Sequence, residues 1–518
     1  MGVTGARAGG QGDFFGGYPP SFAPADPRAD RIGVVDVGSN SVRLVVFEGH
    51  CRAPQVIFNE KVTAGLGARL EETRRLDPEG VERAIRALRR FAGLAPQLKI
   101  AALAGVATAA VREAEDGAAF RDRVERETGI RLRIASGIEE AELAAKGVLF
   151  GQPRAHGVAV DLGGGSAEFC RIEEGQLGPG LSTPLGPLRL RAIERQGRDV
   201  RAEIAAYLRT MTETFGLAGG RLYLVGGAWR ALAKLAIARG RYPLQIVHEY
   251  EMTAGAAREL ADWVVATKPE KIAQIDGVPA GRAAAMPLSA ALLAEIVRTL
   301  EPGVLTVSAF GLREGVCLDN LSPALRREDP LLAAARDQET RRARAPGYGA
   351  DLADWLLGAF PARDPEDERL VRALAHLADV NWRTHPDYRA EGCWETVTRG
   401  SLTDIGHAGR AFLGAALVGR YRGTRKALGS SVAGALLGED RLEEARRLGL
   451  AMRVAAVLAG SAPGILGATR LAREGGTLRL TIAGPAISLR GEEVDKRLDQ
   501  LAKALGATAA ISERTTNG

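Results

Sequence analysis

Two hydrophobic periodicities alternate along the chain between residues 31 and 149. Apolar runs of strand length are predicted at 32–37, 42–48, 54–62, 99–106 and 130–135. Between them, apolar positions recur at helical spacing over 78–94 and 116–128, and a further helix is predicted from Gly137 to Leu149. Strands that alternate with helices in this way are typical of an α/β fold.

The same alternation continues to about residue 321. A second pair of apolar runs opens at Val158, a strand at 221–226 runs into the helix "GGAWRALAKLA", and "VLTVSAFGLREGVCLDNL" (304–321) predicts a strand, a turn and a helix. A charged and then Pro/Gly-rich segment follows, which predicts a domain boundary near 325. The remainder is predicted to be mainly helical, with a short terminal hairpin in "TLRLTIAGPAISL" (477–489).

One pattern occurs twice. "VVDVGSNSVRLVVFE" begins at Val34 and "AVDLGGGSAEFCRIE" begins at Ala159, and both contain two apolar residues, Asp, an apolar residue, Gly and, three residues later, Ser. Asp161 follows Asp36 by 125 residues, which is a domain-sized spacing. We therefore predict two similar lobes, each of which offers an acid-and-glycine hairpin to a shared cleft.

Length and composition set the domain organisation. A globular chain of 518 residues, 46% hydrophobic and 25% charged, is too long for one ordinary domain. We predict a disordered Gly/Pro/Ala-rich tail at 1–30 without a secretory signal, a first lobe at 31–136 and a second lobe at 137–325, followed by a mainly helical domain at 326–518. The last helix of the second lobe is a candidate to pack back on the first, and no apolar run is expected to cross a membrane.

Charge and cysteine content narrow the class of protein. The four cysteines are scattered without a CxxC pair, which favours the reducing cytoplasm and argues against a disulfide framework or a thiolate zinc site. The net charge of +6 fits either an ordinary solvated surface or a polyanionic partner, and composition does not choose between them.

The two hairpins suggest phosphate chemistry. Glycines and small hydroxyl residues in a turn leave backbone N–H groups uncovered, and such groups bind anions. An aspartate beside a bound phosphate needs a cation between them, so Asp36 and Asp161 point to Mg²⁺ or another divalent cation. One such hairpin can arise from chance glycines, but a matched pair favours a site. The predicted phosphate-binding residues are Gly38, Ser39, Asn40, Ser41, Gly163, Gly164, Gly165 and Ser166.

Several motifs, taken in order, resemble the exopolyphosphatase and guanosine pentaphosphate phosphohydrolase family, within the superfamily of actin, sugar kinases and heat-shock chaperones. They are "DVGSNSVRLVV", "GVATAAVREA", "ASGIEEAELAAKGV", "DLGGGSAEF", "PLGPLRL" and "SAFGLREGV". The resemblance covers roughly residues 31–320 and implies an α/β fold of two RNase H-like (actin-like ATPase) lobes around a cleft. The C-terminal third is similar to the helical region of longer family members.

The resemblance also implies roles for individual side chains. Glu140 corresponds to the catalytic carboxylate that accepts a proton from the attacking water, with Glu139 as a like-charged neighbour, although acids at a helix start are common. Arg112 would grip phosphate oxygens, or else simply begin an exposed helix. Glu168 would share a cation with Asp36 and Asp161, or else be a paired surface acid.

Three other features have two interpretations each. Trp229 and Arg230 are large for a loop that holds adenosine in relatives, which argues against nucleotide binding. His376, Asp379, His385 and His407 could hold a second metal ion, but the adjacent His-Asp pair is absent and we favour structural or surface roles. The run Arg410, Arg420, Arg422, Arg425 and Lys426 is either a solvated face or a track for a polyanion.

The function predicted from these features is Mg²⁺-dependent, processive removal of the terminal phosphate from inorganic polyphosphate. Guanosine pentaphosphate is the alternative substrate, and a non-catalytic, nucleotide-switched regulator is the alternative of a different class. We expect a cytoplasmic homodimer that binds neither nucleic acid nor membrane.

Overall fold

The computed structural model describes residues 31–49, 51–423 and 430–514. These residues form two compact units. The first contains the chain up to Arg239 together with Glu251–Arg326, and the second contains Gly240–Tyr250 together with the chain from Arg327 onwards. The predicted tail at 1–30 lies outside the described residues.

The first unit contains two mixed sheets. Its strands are β1 (Arg31–Val37), β2 (Ser41–Glu48), β3 (Gln55–Thr63), β4 (Ile100–Ala107), β5 (Leu132–Ile134), β6 (Gly157–Leu162), β7 (Ala167–Glu173), β8 (Gln176–Thr183), β9 (Arg221–Val225), β10 (Glu251–Thr253) and β11 (Val304–Ser308). The strand order is β3-β2-β1-β4-β5 in one sheet and β8-β7-β6-β9-β11-β10 in the other. The two orders match except for the additional edge strand β10, which confirms the duplication predicted from the sequence.

Helices cover both sheets. In this unit they are α1 (Leu70–Thr73), α2 (Pro78–Gln97), α3 (Ala109–Glu113), α4 (Gly117–Thr128), α5 (Gly137–Gly151), α6 (Pro187–Arg195), α7 (Val200–Arg209), α8 (Thr212–Phe215), α9 (Gly227–Arg239), α10 (Ala254–Ala266), α11 (Pro269–Ile272), α12 (Met286–Leu300), α13 (Leu312–Asn320) and α14 (Pro323–Arg327). Helix α5 begins at Gly137 because Ser136 and Glu139 form a reciprocal capping box there.

The two lobes share one hydrophobic core. It combines Val34 and Val45 of the first sheet with Ala144 of α5 and Val316 of α13. A separate core on the other face of the first sheet includes Ile85 and Phe91 of α2. Helix α13, close to the end of the unit, therefore packs in a core to which the first strand also contributes.

One helix of this unit has the length and composition of a membrane span. The stretch Gly281–Leu300, which ends in α12, is long and apolar enough to span a membrane, contrary to our expectation from the sequence. However, 67% of its most apolar part is buried inside the protein. Such burial is typical of a helix in a protein core.

The second unit is mainly helical. Its helices are α15 (Pro330–Arg342), α16 (Tyr348–Ala359), α17 (Pro365–Leu377), α18 (Arg389–Thr398), α19 (His407–Arg422), α20 (Ser430–Ala459) and α21 (Glu492–Ala504). Residues 240–250, which lie inside the predicted second lobe, belong here instead: Glu249 Oε1 accepts a hydrogen bond from the backbone N–H of Ile405 at 3.1 Å.

The predicted terminal hairpin is wrong in its pairing. Strand β13 (Thr477–Ala483) pairs antiparallel with the preceding β12 (Thr469–Glu474) and parallel with β14 (Thr508–Arg514). The residues expected to form its second arm, Gly484–Leu489, are a 3₁₀-helix. Gly484 has a φ of 57°, and the following proline has no N–H to donate to a strand partner, so the chain leaves the sheet at this point.

Candidate active site

The two glycine turns have the same local geometry. The backbone N–H of Gly38 donates to the carbonyl of Ser41 at 3.0 Å, and Gly163 donates in the same way to Ser166 at 3.1 Å. At the tips, the amides of residues 39–40 and 164–165 donate no hydrogen bond to other described residues. Each turn therefore presents uncovered N–H groups, which is the arrangement that anion binding requires.

The two turns also lie close to each other. A Cβ atom placed on Gly164 would be 3.5 Å from Ser39 Cβ and 3.3 Å from Leu188 Cδ1. The turns are held from behind, because Gly67 N–H donates to the carbonyl of Ser39 at 2.8 Å and Leu188 N–H donates to that of Gly164 at 2.9 Å. A side chain at position 164 would occupy the space between them.

Next to each turn, three side chains stand in a row across neighbouring strands. The first row is Asp36, Arg43 and Lys61 on β1, β2 and β3, and the second row is Asp161, Glu168 and Ser182 on β6, β7 and β8. The duplicated lobes thus differ in charge. The partner of the aspartate on the neighbouring strand is a cation, Arg43, in the first row and an acid, Glu168, in the second.

Glu140 is buried at the start of α5 and is paired with Arg112. Arg112 Nη1 donates to Glu140 Oε2 at 2.9 Å and to the carbonyl of Ala135 at 2.9 Å. Burial raises the pKa of Glu140 to about 7, Arg112 lowers it, and the nearby Asp161 and Asp36 raise it. A carboxyl group with a pKa near neutrality has the property that a general base needs.

Glu139 has a structural role. Its carboxylate accepts from the backbone N–H of Ser136 and pairs with Arg133. Although partial burial raises the pKa of Glu139, these hydrogen bonds and the arginine charge outweigh burial and lower it. Glu139 therefore remains ionised and caps the helix that carries Glu140.

Glu168 is the most enclosed acid of the site, with 1% of the residue exposed. Its Oε1 accepts from Ser182 Oγ at 2.9 Å, whereas its buried Oε2 has no hydrogen-bond partner in the part of the chain that the structure describes. Burial and then the charge of Glu140 raise the pKa of Glu168 well above its ordinary value. The second row is thus an acidic pocket with one unsatisfied oxygen.

Asp36 and Asp161 lie among arginines. Burial raises the pKa of Asp161 to about 6, which the charge of Arg230 partly opposes. Burial also raises the pKa of Asp36, opposed by Arg313, whose Nε lies 3.8 Å from Asp36 Oδ2. Both aspartates therefore occupy a mixed environment of acids and bases.

The sequence did not reveal the basic part of this site, which consists of Arg43, Lys61, Arg230, Arg282 and Arg313. Burial and then the charges of Arg313 and Arg230 lower the pKa of Arg43 to about 10. Burial and Arg282 lower the pKa of Lys61, and burial and Arg313 lower that of Arg230. These cations, from separate parts of the chain, are close enough to repel one another. Arg43 and Arg313 stand in the quoted motifs, but only the fold shows that they converge.

The acids fit a cation that is shared with a substrate, and they do not form a closed metal cage. Among the described residues, no group of three or more His, Cys, Asp or Glu side chains is arranged to hold a metal ion, so the predicted set Asp36, Asp161 and Glu168 is not preassembled. Asp36 faces Arg313 instead. Mg²⁺ in proteins is commonly held by one or two carboxylates together with substrate phosphates. The unsatisfied oxygen of Glu168, opposite Asp161, fits that arrangement.

Comparison with known proteins identifies the family. The model of the Ppx/GppA phosphatase family matches residues 45–324, and a second model, the C-terminal region of exopolyphosphatase, matches 331–511. The chain belongs to the Ppx/GppA phosphatase family. It is therefore a phosphohydrolase, and the alternative of a non-catalytic regulator is not retained.

Relatives of this Ppx/GppA protein include the Exopolyphosphatase 1 of Mycobacterium tuberculosis, 29% identical over 307 residues, which cover 56% of this chain and 88% of the relative. Retrograde regulation protein 2 of Saccharomyces cerevisiae is 24% identical over 434 residues, 76% of this chain and 72% of the relative. The crystal structure of an exopolyphosphatase from Cytophaga hutchinsonii is 25% identical with a TM-score of 0.51, and the match covers 57% of this chain and 99% of that one. The predicted fold class, two actin-like lobes followed by a helical domain, is confirmed.

Trp229 does not obstruct the cleft of the Ppx/GppA protein. Its side chain is fully buried, and its indole Nε1 donates to the carbonyl of Val160 at 3.1 Å. It is a core residue beneath β6. Only Arg230 of this pair interacts with the acids, so the size of Trp229 is not an argument against a nucleotide substrate.

In the described part of the helical unit, the histidines have separate partners and do not come together as a metal site. His376 Nδ1 lies 2.6 Å from Glu339 Oε2, and His385 is exposed. His407 contacts the hydroxyl of Tyr242 at 3.1 Å. Asp379 is already paired with two arginines, Arg344 and Arg420. These separate partners support the structural interpretation.

The predicted polyanion track is wrong for two of its five members. Arg410 is 2% exposed, and its guanidinium donates to the carbonyls of Val397, Gly400 and Leu402. Arg420 is 6% exposed and pairs with Asp379. Arg422 is paired with Glu391, and Arg425 and Lys426 lie outside the described residues.

The pKa of Glu140 predicts opposite pH dependences of activity and stability. For Glu140 to act as a general base it must be ionised, and kcat/KM is then expected to fall about tenfold per pH unit below pH 7 and to level off above it. Because the folded-state pKa exceeds the ordinary value of 4.5, the stabilising contribution of the protonated carboxyl is complete below pH 4.5 and is lost as the pH rises through 7.

Two measurements check this prediction. They are a pH profile of kcat/KM and urea unfolding between pH 4 and 8, each carried out on the wild type and on Glu140→Gln. The substitution should flatten the pH dependence of unfolding in this range. A rate that is independent of pH between 5 and 8 in the wild type would contradict the role of Glu140.

Proposed function

We propose that this protein hydrolyses the terminal phosphoanhydride bond of inorganic polyphosphate and releases orthophosphate, with Mg²⁺ or another divalent cation. The observation that carries the proposal is the set of cations around the acids, Arg43, Lys61, Arg230, Arg282 and Arg313, in which the charges of neighbouring arginines lower the pKa of Arg43, Lys61 and Arg230. A bound polyanion would relieve that repulsion over several contacts, more than a single phosphate ester can. The names of relatives from Mycobacterium tuberculosis and Cytophaga hutchinsonii support the same substrate.

The difference between the two rows suggests how the substrate lies. The row Asp36, Arg43 and Lys61 places two cations in line beyond the first turn. The second row and Glu140 form the acidic side, where attacking water must be held and deprotonated. We place the terminal phosphate between the turns and the rest of the chain along the first row.

Each nearby side chain then has a chemical task. The uncovered amides at 39–40 and 164–165 hold oxygens of the terminal phosphate. Arg112 moves from Glu140 to the phosphate or bridges both, and it stabilises charge in the transition state. Glu140, with a pKa of about 7, orients the water and accepts its proton at a carboxylate oxygen.

Asp161 and Glu168 are the residues that would hold the divalent cation together with the phosphate oxygens. Bound there, Mg²⁺ supplies charge neutralisation for the phosphate. Asp36 lies against Arg313, and its charge raises the pKa of Asp161, so it is close enough to interact with the same cation.

Guanosine pentaphosphate is the second candidate substrate, because Trp229 lies in the core and its size is no obstacle to a nucleoside. The deciding experiment measures orthophosphate release from polyphosphate, guanosine pentaphosphate and ATP in parallel. We expect the highest kcat/KM on polyphosphate. A higher kcat/KM on guanosine pentaphosphate than on polyphosphate would select the alternative. Orthophosphate release from ATP but from neither of the other two substrates would refute both.

We further propose processive action by a cytoplasmic homodimer. Product ladders on a gel test processivity: complete degradation of some chains while others remain intact supports it, and an even distribution of intermediate lengths contradicts it. Sedimentation at micromolar concentration tests the homodimer, and a species with the mass of a single chain would refute it.

Replacing Asp161 by Asn should raise the Mg²⁺ concentration needed for half-maximal activity, because a neutral amide is a weaker ligand for a hard cation. Folding should be retained, since burial already favours the uncharged form of this side chain. A Mg²⁺ titration checks the prediction, with Asp262→Asn, at an exposed position, as the control. An unchanged titration curve would remove Asp161 from the metal site.

A further inference from the structure

The second unit contains a pocket of about 470 Å³ that has no part in the proposed reaction. It lies between the end of α16, helices α17, α19 and α20, and the sheet of β12 and β13. Its volume is within the range of pockets that hold small organic molecules. We call it the arginine pocket, because Arg441, Arg447, Arg470 and Arg473 line it.

One side of the arginine pocket is apolar. Val371, Phe412, Leu448 and Leu478 are buried where they line it, and Phe360 is half-buried at its edge. Because those four side chains are almost fully covered, Phe360, Pro361 and Ala362 present most of the apolar surface to a ligand, and that surface suits an apolar or ring-shaped group.

The acids of the pocket are already engaged. The acidic lining residues are Asp367 and Glu444. Asp367 pairs with Arg363 and Arg441, and Glu444 lies 2.6 Å from Arg441 Nη1 and 3.6 Å from Arg363 Nη2. Arg441 also stacks over the Phe412 ring, with its guanidinium carbon 4.0 Å from the ring centroid. Arg441 is therefore fixed in place as part of the wall.

The remaining lining cations have capacity to bind an anion. Arg470 and Arg473 form no ion pair with any residue in the described ranges, and Arg473 makes one long contact of 3.4 Å with the carbonyl of Leu505. The buried Nε of Arg447 has no hydrogen-bond partner there and lies 3.4 Å from Glu443 Oε1. The pocket thus combines an apolar wall with two exposed arginines, Arg470 and Arg473, that form no ion pair in the described ranges, whereas Arg447 already faces Glu443.

We infer that the arginine pocket binds a small phosphorylated organic molecule with an apolar ring, of the nucleotide class. The guanidiniums of Arg470 and Arg473 provide more donors than one carboxylate accepts, and guanidinium forks match phosphate oxygens. The apolar wall takes the ring. This inference does not depend on the reaction proposed for the first unit.

Titration of the full-length protein with fluorescently labelled ADP tests the inference. The double variant Arg470→Glu/Arg473→Glu should bind at least about tenfold more weakly than the wild type, because two phosphate contacts are lost. Arg399→Glu, an exposed arginine of the same unit, is the matched control and should bind as the wild type does. Polyphosphate hydrolysis should be unchanged in both variants.

One further variant and two competitors distinguish binding in the pocket from general attraction between ADP and basic side chains. Ala472→Leu fills the pocket without removing a charge and should also weaken ADP binding. Pyrophosphate and adenosine, used as competitors, should each displace the probe more weakly than unlabelled ADP does. Equal binding by the wild type and the double variant, unchanged binding by Ala472→Leu, or displacement by pyrophosphate as effective as by ADP would overturn the inference.

Discussion

The Glu140→Gln variant is expected to have a kcat about 10²–10⁴-fold below that of the wild type, which is the usual contribution of general acid–base catalysis. Glutamine has the size of glutamate and can still hydrogen-bond to Arg112, but it cannot accept a proton. The affinity for polyphosphate should persist or increase, because a negative charge leaves a site that binds a polyanion. Steady-state kinetics with orthophosphate release give both parameters.

Glu142→Gln is the matched control for this experiment. Glu142 lies two residues further along α5, outside the contacts described for the site, and its replacement should leave kcat within about twofold of the wild type. If Glu140→Gln keeps most of its turnover, the base lies elsewhere, and Glu168 would be the next residue to examine.

The Arg112→Met variant is expected to have a kcat/KM about 10²–10³-fold below that of the wild type, comparable to the loss of one charged transition-state contact. Methionine fills similar space without the charge or the paired donors. A second effect distinguishes this role from a structural one. Arg112 lowers the pKa of Glu140, so its removal should move the acidic limb of the pH profile above pH 7.

Arg112→Lys provides the graded comparison. It retains the charge but loses the planar pair of donors, so its rate should lie between those of the wild type and Arg112→Met, and the acidic limb should shift less. Arg133→Met removes the partner of Glu139 and serves as a control for a lost ion pair at the same helix. A pH profile that does not move in Arg112→Met would show that the pair with Glu140 has no influence on the base.

Local pattern was sufficient to predict much of the first unit. Strand pairs with a glycine turn and helices with a clear cap at Asp77 or Ser136 depend on neighbouring residues, and they appear within a few positions of their predicted ends. The terminal sheet was not predictable in this way. Strand β14 pairs with β13 across a complete helix, and no local signal specifies a parallel partner at that distance.

The candidate site also contains residues that local motifs reveal and residues that only the fold brings together. The acids and glycines lie in short motifs and could be identified by reading the sequence, whereas Arg230 and Arg282 become part of the site only when distant segments fold together. The sequence also did not show which charged side chains are buried. Arg410 has the sequence context of a surface cation, but its guanidinium satisfies three carbonyl groups inside the second unit.

The packing of α13 has a consequence for how the chain folds during synthesis. Strand β1 leaves the ribosome well before α13, and one face of its sheet can be covered early by α2. Helix α5 covers part of the other face, and the core there is complete only when Val316 and Leu321 have also emerged. Nascent chains that stop before this point would expose an apolar sheet face that is attractive to chaperones, and release of the nascent protein from them should coincide with the emergence of α13.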